Sequence, residues 1–286
     1  MGNINEKKRG TVLNVLFIGA HPDDCEYYAG GTARKFIEGG HRVKFVSATN
    51  GDAGHMSLGG SDLTRIRREE MRRADDILGI TGFEILDIHD GEIMPTLGNR
   101  KQLIRIIRSW CADLVVSHRP VDYHPDHRYT GMLVQDTAYQ VIVPNICPET
   151  PPLVKSPVYL YMEDTFTVPH PFRPDVIVPV DDVFGLKVDA LHEMKSQFYE
   201  WLPWTYGTLG DIPEGDAERR DYLERELRIR MKNNFMAETR ALYGNLADGI
   251  EMVEVFQVCE YGGEKGLRIT PGELRSLFQF LPEFVA

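Results

Sequence analysis

The chain has 286 residues, 42% hydrophobic and 26% charged, the balance of an ordinary globular protein, which excludes a wholly disordered or collagen-like chain. It carries 32 Lys and Arg against 43 Asp and Glu, a net charge of −11; so negative a surface argues against nonspecific nucleic-acid binding. No apolar run approaches the roughly 18 residues that a membrane span needs.

Leu13–Ala20 (LNVLFIGA) is almost continuously apolar and suits a strand buried on both faces. Tyr27–Glu38 has helical spacing, and Gly39-Gly40 follows as a stop. Val43–Ala48 is the next strand. Asp62–Leu78 places Leu63, Ile66, Met71, Ala74 and Leu78 on one face of an amphipathic helix that ends at Gly79. Glu84–Ile88, a helix over Arg100–Trp110 and Leu114–Ser117 continue the alternation. This rhythm predicts an α/β, Rossmann-like, mostly parallel sheet with helices on both faces. The second half is less regular. It offers a Pro-rich loop over Asn145–Pro157, strands at Val158–Tyr161, Val176–Val180 and Glu251–Cys259, and helices at Val183–Tyr199 and Glu218–Glu238. We expect a single domain over 1–286, with a core at about 12–200 and an irregular C-terminal extension over 201–286.

In open parallel sheets, ligands bind beyond the carboxyl ends of the strands. Two clusters lie there: His21-Pro22-Asp23-Asp24 after the first strand, and His124-Pro125-Asp126-His127 after Leu114–Ser117. Proline stiffens the turn that presents each set. Either alone reads as an ordinary turn; the pair, both following apolar strands, points to a metal. A catalytic zinc has three His or carboxylate ligands and one open position. Two His and one Asp meet that count, and of Asp23 and Asp24 one is free to act as a general base. A spare His is suited to donate to an oxyanion.

The segment GAHPDDCEYYAGGT resembles the opening signature of the LmbE-like, or PIG-L, zinc-dependent de-N-acetylases, and His124-Pro125-Asp126-His127 resembles their second signature. Arg67–Gly79 (RREEMRRADDILG) is similar to the family's R-x-x-E helix, and Leu186–Gln197 to a later one. The likeness runs over about residues 12 to 200. It implies His21, Asp24 and His127 as zinc ligands, Asp23 as the base and His124 as oxyanion stabiliser or acid. It also implies Asp126 as a residue that orients a His, and Arg67 and Asp90 as substrate contacts. The implied reaction is metal-dependent hydrolysis of an N-acetyl group from an amino sugar or its conjugate. Two positions depart from the family: Asp122 stands where some sugar-thiol members have Tyr, and Met194 where a His is usual, with His192 two residues away. Both bear on substrate identity. The alternatives are an amidase for a non-sugar or thiol-conjugate amide, and a non-catalytic metal-binding protein.

Other features read as bland. Cys25 sits beside carboxylates that raise a thiol's pKa. His41, His89, His118, His170 and His192 read as surface or satisfied residues, and so does His55, although its loop opens at the sheet's carboxyl end. GHMSLGG lacks the ending of a phosphate loop. Trp201, Trp204 and Tyr206 suit either a sugar face or a tertiary anchor. The four cysteines form no CxxC pair, and the apolar run after the charged MGNINEKKRG leads into His and Asp rather than a cleavage site. Both point to a reducing cytoplasm. Expected partners are a small N-acetylated sugar or conjugate, with no nucleic acid and no membrane span; a homo-oligomer is compatible with the sequence.

Overall fold

A computed structural model describes residues 12–263 and 269–279; the MGNINEKKRG segment lies outside the described residues. The elements run β1 (Asn14–Gly19), α1 (Asp24–Glu38), β2 (Arg42–Ser47), α2 (Gly60–Leu78), β3 (Gly82–Ile85), α3 (Leu97–Trp110), β4 (Leu114–Ser117) and α4 (Pro125–Gln140). There follow β5 (Val158–Met162), β6 (Val176–Pro179), α5 (Phe184–His192), α6 (Leu202–Tyr206), α7 (Asp216–Arg230), α8 (Met236–Tyr243), β7 (Val253–Val258) and α9 (Pro271–Leu277).

The strands form one seven-stranded sheet in the order β3-β2-β1-β4-β5-β7-β6. The first five are parallel, and β7 runs antiparallel to both β5 and β6. The near-continuous apolar run of β1 is explained by burial on both faces. Val15 and Phe17 pack with Ala29, Ala33 and Phe36 of α1 and with residues of α2 and α5. Leu16 and Ile18 pack on the opposite face with Leu103, Ile104 and Ile107 of α3 and Leu133 and Val134 of α4. After β1 the chain moves outward to β2 and β3, then crosses back to place β4 on β1's other side. The ends of β1 and β4 therefore flank the crevice where strand order reverses, the usual ligand position of such sheets.

Beyond the shift of β3 from the expected Glu84–Ile88 to Gly82–Ile85 and the unexpected α6, four differences from the sequence reading have a visible cause. The Pro125 turn is the first turn of α4, with His124 as N-cap; proline at the first helical position is preorganised for a helix. The helix expected over Val183–Tyr199 stops at His192 and resumes as a π-helical turn over Ser196–Trp201. The reason is Glu70 of α2, whose carboxylate accepts the Ser196 amide at 2.8 Å and its hydroxyl at 2.6 Å, diverting donors from the helical ladder. The helix expected over Glu218–Glu238 ends at Arg230, where Lys232 forms a β-bridge with Met252. Finally, α9 is opened by a Thr270/Glu273 capping box that the periodicity did not reveal.

The G-G-T segment of α1 has a structural explanation. Glu254 of β7 accepts the amides of Gly31 at 2.9 Å and Thr32 at 2.6 Å and pairs with buried Lys187 at 2.5 Å. A Cβ at Gly31 would lie 2.7 Å from Val180, so a larger residue would push helix and sheet apart.

Candidate active site

The first cluster is set by how β1 meets α1. A Cβ on Gly19 would stand 2.6 Å from the Asp24 Cβ, so glycine lets the helix start directly against the strand. Asp24 Oδ2 then accepts the amides of Ala20 at 2.8 Å and His21 at 2.7 Å, which leaves Oδ1 facing outward, 3.5 Å from His127 Nε2. The second cluster comes from the first turn of α4. The side chains thus sit at two helix N-termini rather than on the loops that the prolines suggested.

The tautomers follow from the neighbours. His127 Nδ1 lies 3.0 Å from Asp122 Oδ2, so its proton is held there and the Nε2 lone pair faces His21. His21 Nε2 lies 3.2 Å from Asp90 Oδ1 and 3.4 Å from Asp126 Oδ2, which places its proton on that side and leaves Nδ1 bare. The two bare nitrogens are 3.2 Å apart, and His21 Nδ1 is 3.6 Å from Asp24 Oδ2. Facing lone pairs repel unless a proton or a cation lies between them. Two imidazoles and a carboxylate, with ligand atoms within 4.8 Å of one another, form a donor set that first-row divalent ions accept. His21, Asp90 and His124 also come within that distance. There, however, His124 Nδ1 is already accepting the Asp126 amide at 3.2 Å.

Charge around the cluster favours a cation. Five carboxylates (Asp23, Asp24, Asp90, Asp122 and Asp126) contact its histidines or its single guanidinium, Arg67. Burial alone would push the His21 imidazole down; hydrogen bonds with Asp126, Asp24 and Asp90 outweigh it and hold the ring well above its ordinary value. Burial works to raise Asp90, but its contacts with His21, Arg67 and His124 bring it down to about 2. Burial lifts Asp23 above the usual carboxylate range, opposed by Arg67. His124 is lowered by burial and by repulsion from His21 and His127.

All eight residues expected from the sequence converge here, though some contacts are unexpected. Arg67 is 2% exposed, with Nη2 3.1 Å from Asp23 Oδ1 and further bonds to the carbonyls of Gly51 and Pro22. Its first partner is therefore the Asp23 carboxylate. Gly51 has φ +66, and a Cβ there would strike the Arg67 guanidinium at 2.7 Å. Asp126 accepts the Gly91 amide at 2.6 Å and faces His21; it is Asp122, expected only as a departure bearing on substrate, that holds His127. His118, read as a bland residue, is buried, has Nε2 3.1 Å from Asp24 Oδ2 and stacks on His127 at 4.1 Å. Its position immediately after β4 was the available signal. His55 bonds Glu200 at 2.8 Å and clamps the loop after β2 to the π-helical turn. Cys25 is buried, and burial with neighbouring carboxylates pushes its thiol well up. Glu26 turns away from the cluster, buried near Asp75 of α2, and burial raises both carboxyls well above their ordinary values.

The cluster opens into a cavity of about 500 Å³ whose lining includes Asp23, Arg67, Asp90, His124, Trp201, Tyr206 and residues of α7. Among the described residues, no helix is long and apolar enough to cross a membrane.

Comparison with known proteins places this arrangement. The PIG-L family model, described as GlcNAc-PI de-N-acetylase, matches residues 16–138, the stretch that carries both clusters. A diacetylchitobiose deacetylase of Thermococcus kodakarensis is 30% identical over 206 residues, covering 68% of this chain and 74% of the relative. A 4-oxalmesaconate hydratase of Pseudomonas putida is 25% identical over 205 residues, 67% of this chain and 77% of the relative. Among solved structures, the N,N'-diacetylchitobiose deacetylase of Pyrococcus horikoshii in complex with its inhibitor MPG superposes with a TM-score of 0.67 at 27% identity, over 86% of this chain and 83% of that one. Sequence, fold and the convergence of the two His-Pro-Asp clusters agree: the chain belongs to the PIG-L, or LmbE-like, family.

Proposed function

We propose that the protein is a zinc-dependent hydrolase that removes an N-acetyl group from a glucosamine unit or its conjugate. The observation that carries this reading is the pair of bare imidazole nitrogens, His21 Nδ1 and His127 Nε2, 3.2 Å apart beside Asp24 and within reach of a carboxylate, Asp23, that faces the same cavity. His21, Asp24 and His127 would hold the ion. When bound, zinc supplies Lewis acidity, polarising the amide carbonyl and bringing the pKa of water from about 15.7 to near 7.

The remaining chemistry belongs to the side chains. Asp23 takes a proton from the attacking water as it adds to the carbonyl carbon. Arg67, 3.1 Å away, holds that carboxylate in place and opposes the upward pull of burial on it. His124 donates its Nε2 proton toward the carbonyl oxygen as that oxygen becomes negative, an interaction whose removal typically costs about 3 kcal/mol. The C–N bond then breaks as the proton taken up by Asp23 is returned to the nitrogen, and acetate and a free amine leave. Asp122 fixes the His127 ring, Asp126 and Asp90 fix His21, and Asp90 with Arg67 forms the polar wall beside which the sugar lies. Two of the similar proteins are diacetylchitobiose deacetylases by name, which supports the sugar assignment. We read the chain as one domain, since β7, from beyond residue 200, is inserted between β5 and β6. Four free cysteines favour a reducing, cytoplasmic setting.

The test is free-amine and acetate release from N-acetylglucosamine and N,N'-diacetylchitobiose by zinc-replete protein. We expect turnover that a chelator abolishes and zinc restores. Release indifferent to chelation, or no release from any N-acetylated sugar, would overturn the reading. The same panel separates the runner-up, an amidase for a thiol conjugate. Water addition to a carbon–carbon double bond without amine release would place the chain's chemistry with the hydratase relative instead.

A further inference from the structure

His118, the first residue after β4, has no part in the chemistry above, yet its ring touches two of the expected zinc ligands. It is 4% exposed and stands outside the cavity lining, away from any substrate. Its Nε2 lies 3.1 Å from Asp24 Oδ2 and 3.1 Å from the Ala20 amide nitrogen. The carboxylate decides the tautomer. An ionised carboxylate only accepts, so a bare Nε2 would set two lone pairs against each other at that distance. Nε2 therefore donates to Oδ2, and the Ala20 amide is served by the same oxygen, which is nearer to it at 2.8 Å. With the His21 amide at 2.7 Å, Oδ2 collects three donors. Oδ1, 3.5 Å from His127 Nε2, is the oxygen left for a cation. The same His118 ring lies flat on His127, with centroids 4.1 Å apart and planes 12° from parallel.

The ring is held from the backbone outward. Ser117, before it, donates its hydroxyl to the Ile18 carbonyl of β1 at 2.7 Å. Arg119, after it, pairs with both oxygens of Asp164, at 2.5 and 2.7 Å. A Cβ on Gly131 would stand 2.6 Å from the His118 carbonyl oxygen, so α4, which carries His127, packs directly on this segment. We infer that His118 is a positioning residue for the metal centre: its Nε2–H holds Asp24 so that Oδ1 is presented to the ion, and its ring face sets the tilt of the His127 imidazole. One side chain on β4's exit thereby ties a ligand of α1 to a ligand of α4. The inference rests on the assignment of His21, Asp24 and His127 to zinc made above. A ring that merely filled space could lose its nitrogen without consequence for the ion; one that positions Asp24 cannot.

The experiment compares wild type with His118→Phe, which keeps a stacked ring and removes the donor, and His118→Gln, which removes the ring and keeps an N–H at the reach of Nε2. Zinc affinity is read by competition with a chromophoric chelator, beside the melting temperature of the zinc-free protein. The visible absorption of the cobalt-loaded protein reports coordination number. We expect His118→Phe to bind zinc about 10- to 100-fold more weakly, the usual cost of losing a partner that orients a ligand. KM for N,N'-diacetylchitobiose at saturating zinc should stay unchanged, because the ring lines no part of the cavity. The cobalt absorption of His118→Phe should weaken, since Asp24 with Oδ2 released is free to bind through both oxygens. His118→Gln should restore the wild-type cobalt spectrum and part of the affinity. Affinity within about twofold of wild type and an unchanged cobalt spectrum in His118→Phe would overturn the inference. Equal affinity losses in both variants, matched by equal losses of melting temperature, are the pattern of a space-filling residue and would overturn it too. Nitrogen NMR of the wild-type imidazoles needs no variant: a His118 proton on Nε2 is expected, and a proton on Nδ1 alone would refute the donor role. Zinc binding with these effects but without amine release would support the inference and fail the hydrolase reading. A wild type that binds no zinc would remove the ligand assignment and this inference with it.

Discussion

Asp122→Ala is the substitution whose consequence the geometry fixes most tightly. The Asp122 side chain is 9% exposed, with Oδ2 3.0 Å from His127 Nδ1 and Oδ1 accepting the His124 amide at 2.8 Å. One carboxylate therefore sets the tautomer of an expected zinc ligand and the entry of the turn that carries the expected oxyanion donor. Its loss frees the His127 ring to place its proton on Nε2, toward the cluster, where it would block ligation. Removing a carboxylate that orients a metal-bound histidine typically costs about 10- to 100-fold in metal affinity or activity, or about 1.4 to 2.7 kcal/mol. The backbone should survive, because Arg128 Nη1 independently bonds the carbonyls of Asp122 at 2.7 Å and Tyr123 at 2.9 Å. Zinc affinity from competition with a chromophoric chelator should fall by that factor, and kcat at saturating zinc should fall as well because His124 loses its anchor. Asp122→Asn, which keeps an acceptor without the charge, should lose less. An Asp122→Ala protein that binds zinc within twofold of wild type would refute the reasoning.

Three further outcomes are expected. Asp23→Asn should retain zinc stoichiometry, since Asp23 is outside the His21, Asp24 and His127 group, while kcat/KM for amine release falls about 10²- to 10⁴-fold; loss of the metal with the activity would contradict the assignment. Lys187→Met leaves the 3% exposed Glu254 without its counter-ion and should cost about 3 to 5 kcal/mol in urea unfolding, with Glu254→Gln in the same chain recovering most of it. Burial, opposed by Lys187 and assisted by Asp164, pushes the Glu163 carboxyl from 4.5 up to about 7. The folded chain thus holds this proton more tightly than the unfolded one, and the associated stability, complete below about pH 4.5, is lost as pH rises through 7. Glu163→Gln should therefore gain about 2 to 3 kcal/mol relative to wild type at pH 8 and little at pH 4, read from thermal melts across that range.

The parallel half of the sheet was legible because each strand is a short apolar run after a glycine stop or a helix, and burial on both faces requires little else of a sequence. Elements whose limits depend on distant partners were not. The break after His192 is caused by Glu70, 126 positions away from Ser196, and the end of α7 by pairing of Lys232 with Met252; no local window contains either cause. In the site, the two His-Pro-Asp clusters announced themselves through residue type and position, and His118 obeyed the same position rule without a motif to draw attention to it. What spacing could not assign was the pairing. Asp126, inside the motif, faces His21, whereas Asp122, outside it, holds His127, because on the first turn of α4 the residue two before the N-cap lies nearer the His127 ring edge than its immediate neighbour does.

The electrostatics of the site have a common origin in where the two helices begin. The N-terminus of a helix carries a partial positive charge, and α1 and α4 both start at the cluster. A bare cation between two such ends would be opposed by both. Asp24 and Asp126, each in the first turn of its helix, cancel that opposition, and Asp23, Asp90 and Asp122 carry the balance past neutrality against one guanidinium. The cation is then attracted by carboxylates while the amide dipoles behind them remain. In the proposed assignment, those dipoles and the His124 donor would face the carbonyl oxygen as it gains negative charge, with no reorganisation needed. On that proposal a net charge of −11 is no obstacle: an amide is neutral, and the charge it develops would be met inside the crevice rather than by a basic surface.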